Sequence, residues 1–237
     1  MNNILDTYNL QARALPVYLS LIPLVLMLVT IIPDGLKLPI GGSTAFISMP
    51  VSFLLGQFGA DFGKRLESNL WHLWDGPPTT RFLRHGNSEF NENTRFRIHE
   101  NLSKLGLHVP TKEEQKYDWQ AADSHYESCT EELIRQTRDK TKFPLVFKGL
   151  IEYGFRRNLL GLKPIGVSLA IISLVVIIWS AYTTWSITNE LHATPIISGL
   201  ITAGLLVVWL TWVTEGTVKI AANRYARFLL EAALRRE

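Results

Sequence analysis

Residues suited to binding an anion cluster in one short segment of the 237-residue chain, Asp75-Gly-Pro-Pro-Thr-Thr-Arg-Phe-Leu-Arg-His-Gly-Asn87. Arginine presents a planar fork of N–H donors that matches a phosphate, and hydroxyl groups and histidine can donate further hydrogen bonds. Two arginines further along the chain could join such a site. The candidate ligand-binding residues are Thr79, Thr80, Arg81, Arg84, His85, Arg95 and Arg97.

The segment 75–87 also has a purely structural interpretation. Its two consecutive prolines favour a rigid turn, and its arginines could pair with Glu89, Glu92 or lipid headgroups. The segment does not match a phosphate-binding loop such as G-x-x-x-x-G-K-[ST], so the motif alone does not identify a ligand site. Both interpretations stay open.

Other residues that could carry chemistry occur only in pairs. His72 and Asp75 lie three residues apart and His125 and Cys129 four apart, so each pair could share one face of a helix. A zinc site needs three or four ligands, which neither pair supplies. The chain also lacks Gly-x-Ser-x-Gly, His-Glu-x-x-His and the dinucleotide-binding fingerprint. We therefore predict no metal, no cofactor and no enzymatic activity.

A stripe of small and polar residues recurs every four positions in an otherwise apolar segment. Such side chains gain nothing from facing lipid, so the stripe should face protein or water. One interpretation is tight helix packing, which Gly59-x-x-x-Gly63 would assist. The other is the wall of an aqueous pore, with a ring of Asp61 carboxylates at its mouth in an oligomer. The candidate pore-lining residues are Thr44, Ser48, Ser52, Gly56, Gln57 and Asp61.

Four apolar segments are long enough to cross a membrane. Residues 14–33, 39–60, 164–187 and 194–213 each contain about twenty uncharged residues, the length that a helix needs to cross roughly 30 Å of hydrocarbon. The segment 39–60 is richer in glycine and serine than the others. The pattern predicts four transmembrane helices, including a first span that is retained and not cleaved as a signal peptide.

The distribution of basic residues predicts the orientation of these spans. The short connections 34–37 and 188–192 carry a single lysine, whereas the opposite side is rich in arginine and lysine. Because positive charge stays in the cytoplasm, both termini and the long middle segment should be cytoplasmic. The single cysteine is consistent with a reducing compartment.

The polar part of the chain should be helical throughout. Residues 66–74 are expected to continue the second span as an amphipathic helix, which the prolines then stop. Asn87 or Ser88 can cap a helix ending at Gly106, and the capping box Thr111–Glu114 should open a long helix towards residue 139. A helix over 143–160 should end at Gly161, and Pro164 should open the third span.

These patterns predict an all-α integral membrane protein with four transmembrane helices and a helical cytosolic domain between spans 2 and 3. Its parts would be a transmembrane hairpin over 1–60, a cytosolic sensor domain over 61–163, a second hairpin over 164–213 and an amphipathic helix over 214–237. Residues 61–157 hold 16 Lys/Arg against 15 Asp/Glu, so the middle is a mixed-charge domain and not a tail for long nucleic acid. The C-terminal helix could pack on that domain, lie on the membrane or join subunits.

Two segments resemble a known group of proteins, namely the segment beginning Asp75-Gly-Pro-Pro-Thr-Thr-Arg-Phe-Leu-Arg and Tyr153-Gly-Phe-Arg-Arg-Asn-Leu-Leu-Gly-Leu-Lys-Pro164. The chain resembles small membrane effectors of bacterial anti-phage defence operons, in particular the channel subunit of the Hailong system. The resemblance implies a homo-oligomeric ion channel, expected to be a tetramer, in the bacterial inner (plasma) membrane. It further implies gating by a nucleotide or short oligonucleotide made by a partner nucleotidyltransferase. The alternative is a membrane-anchored scaffold or adaptor that binds a cytosolic partner protein.

Overall fold

The computed structural model describes the backbone of residues 7–32 and 42–235, and the side chains of residues 7–32 and 56–235. Within these ranges the secondary structure is entirely helical, which confirms the all-α prediction. The chain divides into two compact units. The first comprises Met1–Leu66 and Gly154–Thr217, and the second comprises Glu67–Tyr153 and Val218–Glu237.

Nine α-helices follow one another along the described chain, preceded by a π-helical segment, Asn9–Ala14, and followed by a 3₁₀ turn, Ala233–Arg235. They are α1 (Leu15–Ile31), α2 (Gly42–Leu73), α3 (Pro78–Leu83), α4 (Glu92–Ser103), α5 (Lys112–Tyr117), α6 (Trp119–Gln136), α7 (Pro144–Thr188), α8 (Ala193–Thr211) and α9 (Glu215–Ala232).

Three stretches of helix are long and apolar enough to cross a membrane. They are Asn9–Ile31, Pro144–Thr188 and Ala193–Thr211, with mean hydropathy of 2.3, 2.3 and 2.0 in their most apolar windows. Many large apolar side chains of α7 and α8 are exposed; Trp179 and Leu200 are 67% and 70% exposed. Such surface is costly in water and is the expected boundary with lipid. These findings support membrane association at three of the four predicted spans.

The remaining predicted span, 39–60, falls mostly within α2. This helix runs without a break from Gly42 to Leu73, and residues 66–73 extend it as predicted. The side chains of residues 42–55 lie outside the described part of the chain, as do residues 33–41. The second predicted span, 39–60, therefore stays a prediction.

Helix α7 differs from the prediction at Pro164. The sequence predicted one helix ending at Gly161 and a new one starting at Pro164, but a single helix runs from Pro144 to Thr188 with the proline inside it. Proline removes one backbone hydrogen bond, which costs a helix in water about 3 kcal/mol. Helices that enter a membrane tolerate the defect better, because neighbouring helices hold them in place. The proline was therefore a misleading helix boundary.

Close approach of glycines packs α2 against α7 in the first unit. A Cβ atom added at Gly161 would lie 2.8 Å from the carbonyl carbon of Phe62 and 2.9 Å from the nitrogen of Gly63. A Cβ at Gly63 would lie 3.0 Å from Cα of Asn158, and one at Gly59 would lie 3.0 Å from a methyl group of Val17. The Gly59-x-x-x-Gly63 motif thus serves helix packing within the chain.

The second unit has its own apolar core. Helices α3, α4, α6 and α9 contribute its fully buried side chains, among them Leu83, Ile98, Tyr126 and Leu229. Seven residues of α9 are buried. Of the three interpretations of the C-terminal segment, this favours packing on the polar helices, because the apolar face of α9 helps to form their core.

Two helix starts in this unit differ from the prediction. Helix α4 is capped by Asn91, whose side chain accepts a hydrogen bond from the N–H of Thr94, and not by Asn87 or Ser88. The predicted capping box Thr111–Glu114 is present, but the helix it opens ends at Tyr117. Asp118 then caps α6 by accepting from two backbone N–H groups, so what looked like one long helix is two. Local cap residues compete, and tertiary packing decides among them.

Candidate functional site

The end of α2 is a turn that holds an aspartate in an unusual conformation. The N–H of Gly76 donates to the carbonyl of Trp71 at 2.8 Å, and that of Asp75 donates to His72 at 3.4 Å, which is the bonding pattern of a Schellman C-cap. The position before Gly76 in such a cap is left-handed and is usually glycine. Here it is Asp75, with φ of 63°. A side chain at this position costs roughly 1 kcal/mol, so its carboxylate is a candidate for a functional group.

Arg84 joins this aspartate to helix α6. Its Nη1 donates to Asp75 at 2.5 Å, and its Nε and Nη2 donate to the two carboxylate oxygens of Asp123 at 2.8 and 2.5 Å. The paired carboxylate of Asp123 raises the pKa of the Arg84 guanidinium, and Asp75 adds to the effect. A bidentate pair of this kind is among the strongest side-chain contacts. All three of its nitrogens therefore already have carboxylate partners.

The neighbouring hydroxyls of the predicted ligand site are turned into the protein. Thr79 and Thr80 are 8% and 1% exposed and lie in α3. Among the described residues, neither the Thr80 hydroxyl nor Nη1 of Arg81 has a hydrogen-bond partner, although both atoms are buried. Unsatisfied buried polar atoms are rare and mark either bound water or a bound group.

The other predicted ligand residues are distributed around the same helices. Arg95 is 5% exposed and donates to the carbonyl of Asn87 at 2.5 Å, so it holds the loop before α4. The His85 ring contacts the Pro110 carbonyl at 2.9 Å and packs edge-on against His99. Arg97 is exposed on α4. The structure thus places Arg81 and Arg84 at one turn, and gives Arg95 and His85 partners elsewhere in the unit.

A groove with a volume of about 310 Å³ opens beside Arg84. Its walls include two tryptophans, Trp71 from α2 and Trp119 from α6, and Trp119 is 58% exposed. Asp75, Asp123 and Glu127 are its acidic residues, and Arg84 is its single Lys or Arg, so the lining carries a formal charge of −3 + 1 = −2. The indole N–H of Trp71 is buried and makes no hydrogen bond to the described residues. Sequence reasoning missed this groove, because α6 lies some forty positions from the turn.

Beneath the groove, the core of the second unit holds several titratable side chains. Burial lowers the pKa of His99 to about 4, helped by the neighbouring His85, although a hydrogen bond to the Leu83 carbonyl opposes the shift. Burial also raises the pKa of the Cys129 thiol to about 11, which makes it a poor nucleophile. In the described part of the chain, no three His, Cys, Asp or Glu side chains are placed to hold a metal ion.

The predicted pore-lining residues separate into three groups. The side chains of Thr44, Ser48 and Ser52 lie outside the described part of the chain. Gly56 is buried, and a Cβ there would lie 3.6 Å from Cβ of Arg13, so it belongs to the packing face. Gln57 is half-buried and Asp61 is exposed on another side of α2.

That other side of α2 also carries two exposed aromatic residues. Phe58 is 61% and Phe62 is 40% exposed, next to Asp61, which makes no ion pair with the described residues. We call Gln57, Phe58, Asp61 and Phe62 the open face of α2. Lys64 and Arg65, one turn further along α2, are exposed as well.

Two polar contacts in the first unit were not expected from sequence. The fully buried Asn158 donates to the carbonyl of Ala12 at 2.7 Å, and the residue four positions after Ala12, Pro16, has no N–H to offer that carbonyl. Lys163 donates to the carbonyls of Val213 and Leu210, at 2.7 and 3.4 Å, just beyond the end of α8. A cation at a helix C-terminus satisfies unpaired carbonyls and complements the helix dipole.

Comparison with models of protein families, with curated proteins and with solved structures finds no match.

Proposed function

We propose that the protein is a homo-oligomeric membrane channel in which the open face of α2 surrounds the conducting path. The observation that carries the proposal is the division of α2 into two sides. Residues of the chain's other helices pack against its glycines, whereas Asp61 and two phenylalanines are exposed and Gln57 is half-buried. A carboxylate beside a membrane span is costly against lipid, and it is best satisfied by water or by another subunit.

Rotational symmetry would bring one copy of this face from each subunit to a common axis. Closed symmetric rings are the usual form of membrane and soluble homo-oligomers, and a ring of Asp61 carboxylates would favour cations over anions. The phenylalanines beside it would contribute packing between subunits. The three other apolar helices would form the outer layer against lipid, in line with their exposed apolar surface.

Control by a ligand is the second part of the proposal. Helices α2 and α7 each contain residues of both units, so the chain offers a continuous path from the second unit to the apolar helices. The nucleotide or short oligonucleotide that the resemblance to defence effectors implies would have to use Arg81 and the exposed Arg97. Arg84 is less suited, because two carboxylates already neutralise it.

The test is ion flux through purified protein in liposomes, with and without a short single-stranded DNA oligomer. Wild-type protein should pass K⁺ in preference to Cl⁻, and Asp61→Asn should lower that preference several-fold. Glu113→Gln is the matched control, because it removes the same charge from an exposed position of the second unit, in α5. Protein that stays electrically silent in both conditions, or an Asp61→Asn variant indistinguishable from wild type, would contradict the proposal.

A further inference from the structure

The groove between α2 and α6 has the chemistry of a site for a positively charged side chain. It combines two indole walls, three carboxylates and one arginine that two of those carboxylates already neutralise. We propose that it binds an arginine- or lysine-bearing peptide segment of a cytosolic partner protein. This inference does not depend on the channel proposal, because it rests on the second unit alone.

The charges favour a cation in this groove. The four charged side chains of the lining sum to −2, with His72 neutral, and no lysine contributes to it. Asp75 is 79% exposed even though it bonds Arg84, so one of its faces is available to an incoming group. Glu127 is exposed on the same face of α6 as Asp123, one turn away. A phosphate would meet this excess of carboxylates and be repelled.

The walls fit the body of a basic side chain. A guanidinium or ammonium group is attracted to the face of an indole, and its methylene stem packs on the same surface. Trp119 offers such a face at 58% exposure.

The experiment measures the anisotropy of a fluorescein-labelled peptide of alternating arginine and glycine, with the full chain in detergent. Asp75→Asn removes the charge, and asparagine tolerates the left-handed conformation. Trp119→Ala removes an exposed wall. Each variant should weaken binding at least five-fold, whereas Glu113→Gln, the charge-matched variant outside the groove, should change it less than two-fold. Binding of the wild type should also weaken as salt rises.

Four results would overturn the inference. The first is binding of the arginine peptide no tighter than that of an alternating glutamate–glycine peptide. The second is equal loss in Asp75→Asn and Glu113→Gln. The third is full competition by spermidine at the peptide's own affinity, which would assign the groove to a free amine. The fourth is displacement by a short single-stranded DNA oligomer that is lost in Arg84→Gln, which would assign the groove to an anionic ligand. None of these results depends on ion flux.

Discussion

Buried side chains of the second unit give its stability a defined dependence on pH. His99 is the clearest case, because its pKa falls from the usual 6.5 to about 4. The ring lies among His85, Arg95 and Tyr126, and its Nε2–H donates to the Leu83 carbonyl, so the histidine is held in its neutral form. The ring stays neutral in the folded protein but takes up a proton when the chain unfolds in acid, so the free energy of unfolding depends on pH.

We predict that the protein loses stability as the pH falls from about 6.5 to about 4. In this window the unfolded chain binds a proton at His99 that the folded chain does not, so the free energy of unfolding decreases by at most ~1.4 kcal/mol per pH unit. Thermal unfolding of the full chain in detergent measures the slope. In His99→Gln, which can still donate to the Leu83 carbonyl, the slope should be shallower. Parallel slopes in the two proteins would contradict the assignment.

The sequence singled out this turn but not the partners of its side chains. The run of two prolines and two arginines marked the segment 75–87 as special, and the structure places Asp75, Arg81 and Arg84 together there. The pairing of Arg84 with Asp123 spans 39 positions, and no local spacing encodes a contact of that separation. Hence the excess of carboxylates around Arg84 could not be predicted from the sequence.

Glycines on α2 and α7 allow the backbones of these two helices to approach closely, and this contact sets the arrangement of the helices in the first unit. The groups nearest to Gly161 are backbone atoms of Phe62 and Gly63, which cannot rotate away. Contacts between small residues are a main source of helix association in membranes, where lipid is as apolar as the side chains.

We predict that Gly161→Ala destabilises the protein by about 1–3 kcal/mol, because the added methyl group would overlap backbone and force the helices apart. Gly204→Ala is the matched control. It also lies inside a helix of the first unit, but a Cβ there would meet nothing within 4 Å. That variant should be neutral or slightly stabilised, since alanine favours helix. Equal melting temperatures for the two variants in detergent would contradict the packing argument.

Long apolar runs predicted helices well, whereas single residues that usually mark the start or end of a helix did so less reliably. Twenty apolar residues in a row have few alternatives, so three of the predicted spans correspond to apolar helices. Pro164 and Asn87 are ordinary boundary signals, yet α7 passes through the first and α4 begins after the second. Packing partners, which the local sequence does not contain, outweigh a few kcal/mol of local preference.

The chain is well suited to testing subunit assembly with introduced cysteines. Its single cysteine, Cys129, is 1% exposed, and burial raises the pKa of its thiol to about 11. It should therefore remain unreactive in the folded protein, so that any disulfide formed by an introduced cysteine reports on that cysteine alone.

We predict that Phe58→Cys forms an intersubunit disulfide when membranes are treated with a mild oxidant. The open face of α2 would place copies of position 58 near the symmetry axis, within the 4–7 Å between Cα atoms that a disulfide requires. Val207→Cys is the control. Val207 is 58% exposed on α8, on the surface assigned to lipid. The Val207→Cys protein should therefore run as a monomer on a non-reducing gel. Cross-linking at position 207 but not at 58 would place the interface elsewhere.

The π-helical segment Asn9–Ala14 has a consequence for how related sequences should be compared. A π-turn accommodates one residue more than the α-helical turn it replaces, and such turns arise when a single residue is inserted into an existing helix. Asn158 donates to the Ala12 carbonyl in this segment, whose partner in a regular helix would be Pro16, a residue without an N–H. A relative one residue shorter between positions 9 and 14 would have a regular helix there, with every later residue in the same place. Such a relative should still need a donor at the position of Asn158, because Pro16 lacks the N–H that the Ala12 carbonyl would accept in a regular helix, so the amide should be kept whether or not the extra residue is present.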